Sequence, residues 1–312
     1  MITIENYNPR LCDVWNTFVA DSKNGTFLHD RRYLEYHADR FNDCSLVIRQ
    51  RNSIVALLPA NRDGDVIHSH QGLTYGGLIV GESMKVPLML DVMDALIQHL
   101  VALGAKQLNY TPPPHIYHHL PAEEDIYAIF SRGAALIQRD ILSVVRPQRH
   151  PQLQTRRQRG LRKAIDAGLT FAESDDWTAY WRLLEETLEL RHASRPVHSL
   201  DEIDRLRRTF PENIRLYICS DSFSLVAGTV IFESRHVART QYIASSETGR
   251  ATGALDMLFT TLLDSIFAEK DFLDFGSSHQ GEDRHLVIGL VEQKEGYGAR
   301  SIAHDTYQLK IS

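Results

Sequence analysis

Leu88-Met-Leu-Asp-Val-Met-Asp-Ala-Leu-Ile-Gln-His-Leu-Val-Ala-Leu103 carries apolar residues at Met89, Val92, Met93, Leu96, Ile97, Leu100 and Val101. Intervals of three and four place them in one stripe along a helix. The same spacing recurs 166 residues later, at Leu255, Leu258, Phe259, Leu262, Leu263, Ile266 and Phe267. A stripe repeated without a slip is the mark of an internal duplication.

The match continues on both sides of the stripes. Each helix is followed by a short strand, Gln107-Leu-Asn-Tyr110 in the first half and Phe272-Leu-Asp-Phe275 in the second. Upstream, Ser45–Arg49, a turn at Asn52-Ser53, and Ile54–Leu58 read as a hairpin, with a third strand after Asp63-Gly64-Asp65. Arg215–Cys219, a turn near Asp221-Ser222, Leu225–Phe232 and Ala238–Ile243 repeat that plan. Each half thus reads strand, strand, strand, helix, strand. Two further helices open the second copy: Asp176–His192, and Ser199–Phe210 with Ser199 and Glu202 spaced as a capping box.

The 312 residues hold about two domains of roughly 150 residues, here 1–150 and 151–312. With 43% apolar and 24% charged residues, the composition is that of a folded globular chain and excludes a disordered or collagen-like one. No apolar run reaches the roughly 18 residues of a membrane span, and the first fifteen residues lack a signal-peptide pattern, so a cytoplasmic protein is expected. Cys12, Cys44 and Cys219 are far apart and form no Cys-x-x-Cys pair, which removes a disulfide framework and a zinc knuckle. Cys219, in an alternating strand, reads as an inert buried thiol.

The net charge of −6 conceals an asymmetry. Arg146, Arg149, Arg156, Arg157, Arg159, Arg162 and Lys163 lie in 18 residues without an acid, leaving 27 basic against 40 acidic residues elsewhere. The run is either a solvated helix face or a contact for a phosphate, a pyrophosphate or an RNA backbone. General DNA binding is disfavoured, because the acidic remainder repels phosphates.

The third strand of the second copy runs into Ser245-Ser-Glu-Thr-Gly-Arg250-Ala-Thr-Gly253-Ala254 and then the striped helix. Strand, glycine-containing turn and helix start together offer unpaired N–H groups to an anion. Arg250-x-x-Gly253 resembles the (Gln/Arg)-x-x-Gly-x-(Gly/Ala) pyrophosphate loop of the GNAT acyltransferase superfamily, with Leu255 where Gly or Ala is usual. The first copy has no such loop. There His70-Gln71-Gly72-Leu-Thr-Tyr75-Gly76-Gly77 stands before a helix that starts near Pro87, a string similar to Fem-like acyltransferases associated with surface polysaccharide synthesis. A duplicated GNAT fold with one degenerate loop resembles the Fem family, as does the ending Gln293-Lys294-x-Gly296-Tyr297-Gly298-Ala-Arg300.

The resemblance implies an α+β fold of two tandem GNAT-like domains, each a mixed, mainly antiparallel sheet flanked by helices. It implies an N-acyltransferase that moves an acetyl or aminoacyl group from acyl-CoA, or a related activated donor, to an amino group of a sugar nucleotide or cell-envelope precursor by direct attack. The alternatives are a Fem-type ligase using aminoacyl-tRNA, and a non-catalytic scaffold in polysaccharide assembly.

By the same resemblance, the two strands ending at Ile243 and Phe275 splay apart. The acyl group then lies beside Tyr242, Ile243, Ala244 and Ser245, and the donor's pyrophosphate lies along Gly249, Arg250, Gly253 and Ala254. His279 and Glu282 are the candidate bases, and Tyr242 the third catalytic candidate. His70, Gln71, Tyr75, Tyr110, Arg156, Ser278, Lys294 and Arg300 are the candidate acceptor contacts, Lys294 and Arg300 as partners of a phosphate. His68 and His70 share a strand face, but no spacing supplies a third ligand, so no metal is expected. Asp274-Phe275-Gly276 spells a kinase motif without the rest of a kinase.

Overall fold

The computed structural model describes residues 1–149, 152–192, 194–281 and 284–311. Two compact units emerge, Met1–Asp140 with Ala303–Ser312, and Ile141–Ile302.

In the second unit the strands Thr170–Glu173, Ile214–Ser220, Leu225–Glu233 and Val237–Ser245 form an antiparallel sheet in that order. The hairpin between Ser220 and Leu225 closes because Oδ1 of Asp221 accepts the N–H groups of Phe223 and Ser224, both at 2.8 Å. Val237–Ser245 next meets Phe272–Ser277 in parallel, but only through Val237–Arg239 against Phe272–Asp274. Beyond Arg239 the pairing stops while the strand runs on to Ser245, so the expected opening between these strands is present.

The striped helix lies on the sheet because its apolar face is buried. Leu258, Phe259, Leu262 and Leu263 pack with Ala227, Ile231, Ala238 and Leu273 in one core cluster. Full burial of such a side chain contributes roughly 1.5–3 kcal/mol, which outweighs the weak helix propensity of Thr260 and Thr261. The element is not one continuous α-helix, as the stripe suggested. Ala254–Thr261 is α-helical and Leu262–Ile266 is a π-turn, closed by the Phe267 N–H donating to the Leu262 carbonyl at 2.8 Å. The extra residue in that turn leaves Ile266 41% exposed while Phe267 stays buried.

Helix Leu200–Thr209 carries the capping box read from Ser199 and Glu202: the Ser199 side chain accepts from the Glu202 N–H, and the Glu202 carboxylate from that of Ser199. Helix Trp177–His192 spans the other expected segment.

The first unit keeps the plan with one interruption. Leu46–Gln50 and Ser53–Leu58 form the expected hairpin, and helix Val86–Ala102 carries the stripe. Val66–His68 pairs in parallel with Gln107–Asn109, three residues against three, as Val237–Arg239 does with Phe272–Asp274. The same short parallel contact in both units is the structural trace of the duplication. Here, however, the third strand is broken. Val66–His68 pairs with Asn61–Asp63, whereas Ile79 and Val80 pair with Leu57 and Ala56. The segment from Ser69 to Leu78, which holds His70-Gln71-Gly72, interrupts the strand, and His70 turns it with a φ of 72°.

Candidate active site

Where Val237–Ser245 leaves Phe272–Ser277, a cavity of about 340 Å³ opens in the second unit. Ile243, Ala244 and Ser245 form one wall and Phe275 belongs to the other. Its aromatic side is a packed trio. Phe259 stands edge-on to Phe275 and Tyr297 at 4.9 and 5.2 Å, and Phe275 stacks on Tyr297 at 5.8 Å between centroids.

Helix Thr155–Asp166 contributes Arg157 to this cavity. Its Nη1 donates to Oδ1 of Asp256 at 2.9 Å and to the Tyr297 hydroxyl at 3.3 Å, and the guanidinium lies 4.6 Å from the Tyr297 ring centroid. The Tyr297 hydroxyl in turn donates to Asp256 Oδ1 at 2.8 Å. Burial, followed by the neighbouring Asp256 charge, pushes the Tyr297 phenol well above its ordinary range, so it stays protonated as a donor. The helix can come this close because of two glycines. A β-carbon on Gly253 would overlap the carbonyl oxygen of Gly160, and one on Gly160 would overlap Asp256. Gly253 also has a φ of 79°, which ends helix Glu247–Thr252 and starts Ala254–Thr261.

Lys294 reaches the cavity from helix Ile288–Glu295. Its Nζ donates to the carbonyls of Gly276 and Ser277 at 3.0 and 2.8 Å and to Oγ of Ser278 at 2.9 Å. Three donors meet three acceptors, so the ammonium fastens the segment Gly276–Ser278 to the helix. Burial lowers its pKa to about 8, with Asp274 opposing and Arg239 reinforcing the shift.

The loop expected to cradle a pyrophosphate is largely helical. Ser246 caps Glu247–Thr252: its Oγ accepts from the Gly249 N–H at 3.0 Å and its carbonyl accepts from that of Arg250 at 3.0 Å. The Gly253 N–H goes to the Gly249 carbonyl, and Arg250 Nη1 donates to the Ser245 carbonyl at 2.6 Å. The amides of Gly249, Arg250 and Gly253 are therefore hydrogen-bonded within the protein.

Of the expected donor residues, Ile243, Ser245, Gly249, Arg250 and Gly253 line the cavity, whereas Ala254 is packed in the core. Tyr242 is not among the lining residues. Its ring meets Trp181, and its hydroxyl contacts Nδ1 of His198 at 2.5 Å, while burial raises its pKa to about 12. Ser278 is joined to the cavity through Lys294. His279 lies in a short hairpin with His285–Leu286, its Nδ1 2.9 Å from Oγ of Ser277. Glu282 lies outside the described residues. Arg156 bonds the Glu292 carbonyl, and Arg300 is exposed and bonds the Ala299 carbonyl.

His70, Gln71, Tyr75 and Tyr110 belong to the first unit and are held there by its own groups. Burial lowers the pKa of His70 to about 4. Gln71 is paired with Asn61 through both its side chain and its backbone N–H. Tyr75 lies buried against Tyr117. The Tyr110 hydroxyl accepts from the Leu78 N–H at 2.7 Å and donates to Asp125.

Arg157, Asp256, Gln293 and Tyr297 were missed as site residues. Arg157 stood in the basic run and Gln293 and Tyr297 in the quoted ending, while the signal at Asp256 is an acid at the position where the first copy has Leu90. Among the described residues no group of three or more His, Cys, Asp or Glu side chains could hold a metal ion.

The family profile of the acetyltransferase (GNAT) domain matches residues 152–284, the segment that holds the split strands and the loop of Arg250 and Gly253. Residues 152–284 thus match a GNAT acetyltransferase domain, and the fold of the whole chain is similar to Fem-like and tandem GNAT proteins. Among solved structures its fold is similar to FemX, with a TM-score of 0.69 and 10% identity over 99% of this chain and 97% of that one. L-PGS from Bacillus licheniformis gives 0.60 and 12%, covering 98% of this chain and 92% of that one. A tandem GNAT protein from the clavulanic acid biosynthesis pathway gives 0.52 and 10%, covering 100% and 99%. At these identities the likeness is one of fold. No curated protein sequence matches the chain. Among the described residues, no helix is long and apolar enough to cross a membrane.

Proposed function

We propose that the protein is an acyltransferase that joins an amine acceptor to the acyl group of an activated ester or thioester inside the cavity of the second unit. The observation that carries this reading is the coincidence of the strand opening with a cavity whose walls include Ile243, Ala244 and Lys294. The amine nitrogen attacks the acyl carbon, the carbonyl oxygen takes up negative charge, and the bond to the leaving oxygen or sulfur breaks. One proton leaves the amine and the leaving group gains one. Lys294 places a positive charge at the wall where the oxyanion develops. His279, oriented by Ser277, is our candidate for receiving the amine proton, directly or through water. The first domain, 1–150 in our reading, lacks the donor loop, and 151–312 carries the transfer site.

An amino sugar nucleotide or a related cell-envelope precursor is the proposed acceptor, on the strength of the Fem resemblance. For the donor, the spent amides of Gly249, Arg250 and Gly253 favour an aminoacyl ester of tRNA over acyl-CoA. Arg159, Arg162 and Lys163 are exposed and could meet its phosphates. Purified protein incubated with labelled acetyl-CoA or labelled aminoacyl-tRNA and a panel of amino sugars tests both points. Transfer abolished by ribonuclease identifies the tRNA ester, transfer that resists ribonuclease identifies the thioester, and no transfer from either donor rejects the reading.

A further inference from the structure

The strand Ala135–Val145 stands between Arg300–Lys310 and Phe272–Ser277 in the sheet order. Phe272–Ser277 meets it only at Val145, Val144 and Leu142. The stretch Ala135-Leu-Ile-Gln-Arg139, which belongs to the first unit, therefore has a neighbouring strand on one side only. Among the described residues no further backbone hydrogen bond closes the other side. Alternate N–H and C=O groups of such a stretch point away from its neighbour, the condition that lets an edge take up another strand.

Edges that stay single are usually guarded by free charges, prolines or bulges. Here Leu136 and Ile137, which point to opposite faces of the strand, are 46% and 49% exposed. Helix Glu124–Ser131 adds Tyr127 and Phe130, three residues apart on one side and 55% and 69% exposed. The Ala134 N–H donates to the Ile129 carbonyl at 3.2 Å, so the end of that helix lies against the start of the strand. The two arginines of this region are neutralised within the chain. Arg132 binds both carboxylate oxygens of Asp94, and Arg139 both of Asp305, each pair at 2.7 and 2.8 Å. Neither cation calls for an anionic partner.

The edge is complementary to itself. When two copies of it run antiparallel about a two-fold axis at Ile137, Ile137 faces its own copy, Leu136 faces the uncharged Gln138, and Ala135 faces the already neutralised Arg139. No like charges meet across the axis. We infer that Ala135–Arg139 pairs with the same edge of a second copy of this chain to make a symmetric dimer. Four half-exposed apolar side chains and a five-residue ladder from each copy bury on the order of 1,000 Å² in total, the low end for a specific interface. The dimer therefore forms reversibly, at micromolar to submillimolar concentration.

Sedimentation velocity on the full chain across that concentration range tests this without any turnover. A concentration-dependent shift from monomer to dimer is expected. Ile137→Lys sets two ammonium groups against each other at the axis and should raise the dissociation constant at least about tenfold, with an unchanged urea midpoint showing an intact fold. Ile137→Cys should give a disulfide-linked dimer on mild oxidation, because residues facing each other in an antiparallel pair have α-carbons roughly 4.5–5.5 Å apart. Phe223→Cys, at an almost fully exposed position in the second unit, should cross-link far more slowly. If Ile137→Lys lowers the urea midpoint, the comparison of these two cross-linking rates decides. A chain that stays monomeric throughout, whether its edge is bare or taken by another protein, overturns the inference. So does a dimer that Ile137→Lys leaves intact, or equal cross-linking at the two positions.

Discussion

Gly253 is seated against the backbone of Gly160. No β-carbon fits at either position, and the contact brings Arg157, one turn before Gly160, within hydrogen-bonding distance of Asp256, three residues after Gly253. The glycine that resembles part of a phosphate loop is thus required by helix packing and by its positive φ, whatever donor is used.

Gly253→Ala should therefore destabilise the second unit, and by more than the roughly 1 kcal/mol of a left-handed alanine, because the backbone of Gly160 must also move. We expect a loss of about 2–4 kcal/mol by urea denaturation. Gly160→Ala should cost a similar amount, since the atom in its way is the carboxylate oxygen of a buried residue. An unchanged midpoint for either variant would contradict the packing account. Activity lost in these variants reports on folding before it reports on donor binding.

Arg157 and Asp256 are both largely withdrawn from solvent, so removing one partner strands the other. Asp256→Asn should destabilise by about 2–4 kcal/mol, less than a fully buried pair and more than a surface one. In a double-mutant cycle, Arg157→Met and Tyr297→Phe should show a coupling of about 1 kcal/mol, because both donate to Asp256 Oδ1. Strict additivity would mean that the shared oxygen does not couple them.

Lys294 gives a pH signature. With a pKa lowered to about 8, its charge is lost as pH rises through that value, well before an exposed lysine would titrate. If the charge serves the transfer, kcat should fall along a limb near pH 8. Lys294→Arg, which stays protonated, should move that limb upward, and Lys294→Met should lower kcat by about a hundredfold. A profile with the same limb in wild type and Lys294→Arg would show that another group titrates there. The sign for stability is opposite. Folding disfavours the charged lysine, so the penalty is full below about 8 and is relieved as pH rises toward its ordinary value.

The duplication and the capped helix at Ser199 were legible because each depends on local spacing, whereas the strand opening followed from the family resemblance. The apolar stripe fixes a helix face, and a Ser-x-x-Glu box fixes a start. The site was legible only in part. The string from Ser245 to Ala254 showed a glycine-containing turn, but whether its amides are free depends on Ser246 capping a helix and on a distant helix carrying Gly160. Lys294 could be singled out by its glycine-bounded setting, yet its three acceptors come from a strand end 16 to 18 residues earlier. In the first copy, His70 and its neighbours resembled a ligand-contacting string, while their side chains and backbone serve the loop that splits the third strand. Long-range partners of polar groups leave no period in a sequence.

Asp125 offers a test of the first unit alone. Burial raises its carboxyl from 3.8 to about 6, against the hydrogen bond from Tyr110, which favours the ionised form. A carboxyl with a higher pKa in the folded state binds its proton more tightly there, so its stabilising effect is full below the unfolded value and is lost as pH rises from about 4 to 6. Asp125→Asn keeps an acceptor for the Tyr110 hydroxyl and removes the titration. Stability of the wild type relative to Asp125→Asn, measured by chemical denaturation from pH 4 to 7, should therefore decline across that window and level off above about 6. A constant difference would show that Asp125 titrates alike in the folded and unfolded chain, and a rising one that the Tyr110 bond outweighs its burial.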